Sequence, residues 1–168
     1  MLVGYDVPMQ IEPMMDADRG AVSELLRTCF EWLAEREGFT DRQREFLVGP
    51  RSSAETLRVE SQSRPHIVAR DEDGTILGMA AIRENEIARL YVHPQFHSRG
   101  VGKALFQHTV SMIRKAGFAE VTVAALVENA AAFYRAQGMH EVGRQSYEPD
   151  IFGDRELVLL AKATNDDA

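Results

Sequence analysis

What most constrains this chain is a change of hydrophobic period part-way along it. Over the first third, Val22, Leu25, Leu26, Cys29, Phe30 and Leu33 recur at three- and four-residue steps, the mark of a helix with one buried side. From residue 66 onward the period shortens, and β-rich runs alternate with turn residues and two further helical stretches. The pattern predicts a strand over 9–13 and a helix over 17–35 capped by Asp16, with Gly38 behind it. Shorter helices follow from Thr40-Asp41 through Leu47 and over 52–61. Strands are predicted over 66–70, 75–83 and 86–92, the last two joined tightly at Glu84-Asn85. A helix over 100–116 shows Val101, Ala104, Leu105, His108 and Met112 on one face. A strand over 121–127, a helix over 129–137 and strands over 140–143 and 156–161 complete the order. Such an order implies a mixed α/β (α+β) domain with a hairpin-rich, largely antiparallel first half.

With 168 residues the chain is expected to form one domain, its core over about 9–161 and a flexible tail over 162–168. A single cysteine, Cys29, excludes an internal disulfide framework and suits a reducing compartment. The first ten residues lack the basic and apolar regions of a secretion signal, and no apolar run is long enough for a membrane span, so a cytoplasmic location is expected. A net charge of −7 argues against a nucleic-acid partner. The same acidity could favour a cationic acceptor, although most acidic surfaces merely keep a protein soluble.

The chemistry concentrates where a strand runs through a short loop into a helix: Leu90, Tyr91, Val92, His93, Pro94, Gln95, Phe96, His97, Ser98, Arg99, Gly100, Val101, Gly102, Lys103, Ala104. The first turn of a helix carries unpaired N–H groups and a partial positive charge, and so binds anions. Gly100 and Gly102 would let a phosphate approach, with Arg99 and Lys103 adding cations. Two glycines before a helix are equally common in plain connections. A dinucleotide fingerprint fails because Leu105 stands where its third glycine belongs, and a P-loop fails because Ala104 follows Lys103.

Tyr91-Val92-His93-Pro94 followed by His97-Ser98-Arg99-Gly100-Val101-Gly102 resembles motif A of the GNAT acyltransferase superfamily, which reads Q/R-x-x-G-x-G/A. Val127-Glu128-Asn129-Ala130-Ala131-Ala132-Phe133-Tyr134-Arg135-Ala136-Gln137-Gly138-Met139 resembles its motif B. His97 stands where Gln or Arg is usual, and Met139 where Phe is usual. The likeness follows element order over about 9–161 and is sharp over 75–140.

The resemblance implies a GNAT-like fold, a central, mostly antiparallel mixed sheet of about six to seven strands flanked by helices, and an N-acetyltransferase that moves an acetyl group from acetyl-CoA to a primary amine on a small molecule or peptide. Amides of His97 through Ala104 would hold the pyrophosphate, and Leu90, Tyr91 and Val92 would pair with the pantetheine arm. Asn129 would contact the coenzyme, although it suits a helix N-cap equally well. Tyr134 would be the general acid and Glu86 a base acting through water, although Glu86 also reads as part of a solvated hairpin. Acceptor recognition would fall to Trp32, Tyr147 and Glu148, with Phe39 and Asp150 as further candidates. A homodimer is left open, and no nucleic-acid or membrane partner is implied. No metal is expected, since His93 and His97 are separated by Pro94 and no H-E-x-x-H is present. Two other readings are a non-catalytic acyl-CoA-binding module and an unrelated α/β protein binding another phosphate ligand.

Overall fold

The computed structural model describes residues 7–165. In chain order the elements are β1 (Gln10–Pro13), α1 (Arg19–Glu37), α2 (Asp41–Val48), α3 (Ala54–Glu60), β2 (His66–Arg70), β3 (Ile76–Arg83), β4 (Glu86–Val92), α4 (Val101–Lys115), β5 (Glu120–Ala125), α5 (Glu128–Ala136), β6 (His140–Ser146), α6 (Pro149–Phe152) and β7 (Glu156–Ala163). The seven strands form one sheet in the order β1-β2-β3-β4-β5-β7-β6. All neighbours run antiparallel except β4 and β5, which are parallel. This is the mixed α/β, mostly antiparallel architecture expected from the order of elements together with the family resemblance.

Helices cover both faces. On one, Val22, Leu26 and Phe30 of α1 pack with Leu47 of α2 and Leu57 of α3 over Val68 and Met79. On the other, Leu105 of α4 packs over Ile67, Leu77 and Ala80, while Phe106 and Ile113 join Ala131 and Tyr134 of α5 over Ile82, Val123 and Leu160. Strand β3 lies between these layers, which is why Leu77 through Ile82 are buried without alternation. Full burial of each large aliphatic side chain contributes roughly 1.5–3 kcal/mol.

Several local expectations are corrected. Asp16 does not cap α1: it opens a 3-10 turn, Asp16–Asp18, and pairs with Arg19 at 2.9 Å. The buried face of α4 is Val101, Leu105, Phe106, Thr109 and Ile113, and His108 is exposed. The helix must pack against both the sheet and α5, which turns its buried stripe toward Phe106 and Ile113. Strand β7 continues to Ala163, and Lys162 and Thr164 are buried, so the stretch read as a tail from residue 162 begins inside the sheet. Helix α6 occupies a segment expected to be irregular.

Two buried serines tie down the connection that later matters for the site. Ser23 Oγ donates to the Ser52 carbonyl at 2.6 Å, and Ser52 Oγ donates to the Leu47 carbonyl at 2.7 Å. These bonds hold residues 49–53 against α1.

Candidate functional site

Strands β4 and β5 pair at only two positions, Glu86↔Thr122 and Ile87↔Val123, and then part. The cause lies in β4. Its register against β3 passes from Ile82↔Ile87 to Ala81↔Arg89, leaving Ala88 as an extra residue. A bulge of this kind bends its strand and resets the alternation of side chains. Ile87 therefore joins the core under α4 and α5, while Tyr91 packs beneath α1 and Leu90 and Val92 beneath α4. His93 donates to the Leu77 carbonyl at 2.8 Å, so the odd-numbered backbone groups here face β3. Those of Leu90 and Val92 face the gap. The Val92 carbonyl already has company there: Cys29 Sγ donates to it at 3.3 Å, and His97 Nε2 lies 3.0 Å away. Burial pushes the Cys29 thiol up to about 12, so it acts as a neutral donor and not a nucleophile.

At the mouth of the gap stands the N-terminus of α4. The first intrahelical bond runs from Ala104 to the Gly100 carbonyl at 3.0 Å, so the amides of Val101, Gly102 and Lys103 have no partner within the helix. Ser98 and Gly100 both take positive φ, 61° and 83°, on either side of Arg99. Left-handed residues alternating in this way turn successive N–H groups toward one point and form an anion cradle. The two glycines thus have different tasks. Gly100 supplies the left-handed turn, whereas a Cβ on Gly102 would meet the Phe133 ring at 3.3 Å. Gly102 is small where α4 closes on α5, a packing reason for glycine that the sequence reading did not supply. Arg99 and Lys103 are exposed beside the cradle. A groove of about 360 Å³ continues from Lys103 between α4 and α5, past Phe106, Gln107 and Arg114 to Lys162.

The other expected site residues fall as follows. Tyr134 is buried, packed edge-on to Phe133 with ring centroids 5.1 Å apart and against Phe106 at 6.2 Å. Burial raises its phenol far above the ordinary range, with the nearby Tyr91 phenol adding to the effect, so it stays protonated. Glu86 opens β4 and is ion-paired with Arg83 across the hairpin. Asn129 is exposed in the first turn of α5, and Val127 occupies the N-cap position, so the capping role expected of Asn129 is not realised. Trp32 stacks edge-on against the His97 ring at 4.8 Å, with Arg36 over its other side at 4.6 Å, and so adjoins the α4 loop. Tyr147 packs on Phe46 and Phe152 at 6.3 and 5.4 Å. Glu148, exposed and with φ of 41°, leads into α6. Among the described residues no three His, Cys, Asp or Glu side chains gather as a metal site, and no helix is long and apolar enough to cross a membrane.

One group escaped the sequence reading. Arg89 of β4 is buried, with Nε 3.2 Å from Glu60 Oε2 and Nη1 donating to the Arg51 carbonyl at 2.7 Å. Arg51 and Arg64 also reach Glu60, at 3.3 and 3.8 Å. Burial works to raise the Glu60 carboxyl, but Arg89 and Arg51 outweigh it and hold it below its usual value. His66 adjoins the cluster, and burial lowers its imidazole. The available signal was an arginine within the apolar run Ile87–Val92 of β4.

Comparison with known proteins agrees with this geometry. The chain is 28% identical over 81 residues to the ribosomal protein bS18-alanine N-acetyltransferase of Escherichia coli K12, a match covering 46% of this chain and 55% of that protein. The chain thus spans about half the length of the curated relatives it matches. A GCN5-related N-acetyltransferase structure from Rhodopseudomonas palustris superposes with a TM-score of 0.82 at 21% identity, covering 97% of this chain and 98% of that one. PaiA N-acetyltransferase from Thermoplasma acidophilum, solved in complex with coenzyme A, gives 0.77 at 20% identity, covering 94% and 99%. These likenesses are of fold. Because the acetyltransferase (GNAT) domain model matches residues 35–152, a span that contains the parted strands, the anion cradle and Tyr134, this chain belongs to the GNAT acetyltransferase family.

Proposed function

We propose that the chain works as a single-domain, acetyl-CoA-dependent N-acetyltransferase, and that a primary amine attacks the thioester directly within the β4–β5 gap. The observation that carries this reading is the opening of that gap beside the free amides of α4. A pyrophosphate would sit on the amides of residues 97–104, with Arg99 and Lys103 offsetting its charge. Backbone groups of Leu90 and Val92 would hold the pantetheine arm as an added strand does, Tyr91 filling the wall behind, and Asn129 would approach from α5. His97 and Cys29 already contact the Val92 carbonyl, so the arm would bond there beside them or displace the imidazole.

Bound acetyl-CoA supplies an activated acyl group and a thiol leaving group. The chain's part is to stabilise charge and handle protons. The Leu90 amide, which faces the gap, would donate to the carbonyl oxygen as it gains charge. Tyr134, kept protonated by burial, would donate to the departing sulfur. A free thiol titrates near 8.5, so a phenol held this high acts as a hydrogen-bond donor until the sulfur is equally desolvated. Glu86 would take the acceptor's proton through water, which requires it to leave Arg83.

Calorimetric titration with acetyl-CoA, with NAD and ATP as controls, tests the cofactor assignment. Micromolar binding of acetyl-CoA alone is expected. A folded sample, free of co-purified coenzyme, that binds none would overturn the assignment.

A further inference from the structure

Beneath α3 lies a local charge of opposite sign to that of the whole chain. The formal net charge is −7. Yet Arg51, Arg64 and Arg89 share Glu60 as their one ion-pair partner among the described residues. Two positive charges are left over. The Arg89 side chain is 1% exposed and is clamped between Glu60 and the Arg51 carbonyl. Arg51 differs: its side chain is 31% exposed, and Nη1 donates to Glu60 at 3.3 Å while the rest of its five-donor fork is open to another acceptor. His66 does not alter the balance toward anions, because its Nδ1 lies 2.8 Å from the Arg64 carbonyl and burial keeps the ring neutral. Glu148, exposed and next in sequence to Tyr147, lies within electrostatic reach of that phenol.

The position of this surplus gives it meaning. Arg89 immediately precedes Leu90, whose amide faces the gap, and it shares a strand face with Tyr91. Tyr91 and Tyr147 pack against the same core cluster beneath α1, and Tyr91 lies within electrostatic reach of Arg51, Arg89 and Tyr134. The surplus charge therefore borders the space an incoming amine must cross. A clamp between α3 and β4 needs one guanidinium per carboxylate, and the excess calls for an anion. Nearby positive charge also favours the neutral form of an amine over its ammonium.

We propose that the acceptor is an amino acid or similar small molecule bearing a carboxylate within a few bonds of its amine, with Arg51 receiving that carboxylate and Tyr147 flanking it. The proposal rests on the acetyltransferase reading above. In the reaction the amine nitrogen forms the new C–N bond as the C–S bond breaks. One amine proton leaves to solvent or base, the sulfur leaves as the thiol, and the carboxylate is unchanged.

The test is a thiol-release assay with acetyl-CoA and the twenty common L-amino acids, each beside its carboxamide, with spermidine as a cationic amine. At least one acid should be turned over with kcat/KM tenfold or more above its own amide. Arg51→Gln should erase that preference by raising KM about tenfold with kcat little changed, and Arg51→Lys should restore part of it. Calorimetric affinity for acetyl-CoA should be the same in both variants. Amides or spermidine turned over as well as the acids would overturn the proposal. So would a protein that binds acetyl-CoA yet turns over no acid, an outcome that leaves the cofactor assignment standing. Failure to bind acetyl-CoA would remove the acetyltransferase reading and this proposal with it.

Discussion

On one side of the β4–β5 gap the groups facing the opening are backbone amides, left-handed turn residues and apolar rings. Between α3 and β4 they are instead charged side chains, contributed by α3, the connections on either side of it and β4 itself. The first wall comes from nearly contiguous sequence, residues 90–104 and 127–139, and its chemistry is set by local conformation. The second comes from Arg51, Glu60, Arg64 and Arg89, which meet only when the sheet is assembled. Backbone groups suit a ligand that is the same throughout a family. Side chains brought from separate segments can be changed one at a time, which suits a ligand that varies.

The comparison breaks most sharply at Glu60. Glu60→Gln leaves buried Arg89 without its counter-charge, and the expected loss is about 3–5 kcal/mol in urea unfolding. A loss below about 1 kcal/mol would mean that the charged wall is solvated and resembles any surface cluster. Tyr134→Phe, at the junction of the two walls, should lower kcat about 100-fold while coenzyme affinity holds. Undiminished turnover would remove Tyr134 as the acid. On the backbone wall, Gly102→Val forces a branched side chain into the Phe133 ring and should cost about 1–3 kcal/mol, with weaker acetyl-CoA binding. Unchanged affinity would separate helix packing from coenzyme binding.

Two smaller effects sharpen the contrast. Glu86→Gln should lower turnover about tenfold, most strongly at acid pH where the acceptor is more fully protonated. An unaltered pH–rate profile would leave Glu86 as a hairpin residue paired with Arg83. The charged wall should also make stability depend on pH. His66 is lowered by burial, so the unfolded chain takes up a proton first and stability falls as pH drops below about 6.5. Glu60 is held below its usual value, so its contribution is present above about 4.3 and is lost as pH falls further through its folded value. Urea unfolding at pH 7.5 and 5.5 should show the first fall, and His66→Gln should flatten it.

Legibility followed the same division. β2 and β4 match their predicted bounds, and most other elements come within two residues, because hydrophobic period and turn chemistry are local. The loop leading into α4 stood out because glycines and cations cluster in it. Capping at Asp16 and Asn129 was misread, since a two-residue shift of the cap position, to Asp18 and Val127, changes which side chain can reach the free amides. The buried face of α4 was misjudged because a helix that packs on two partners exposes a different stripe from one that packs on a sheet alone.

By itself the sequence determined the order of elements, the strand–loop–helix that presents an anion cradle, and the family likeness, since each depends on residues a few positions apart. Only the tertiary structure decided that Ala88 is a bulge, that Gly102 serves Phe133, and that three arginines converge on one glutamate. Those outcomes depend on strand register and on distances between segments tens of residues apart, which no local pattern encodes.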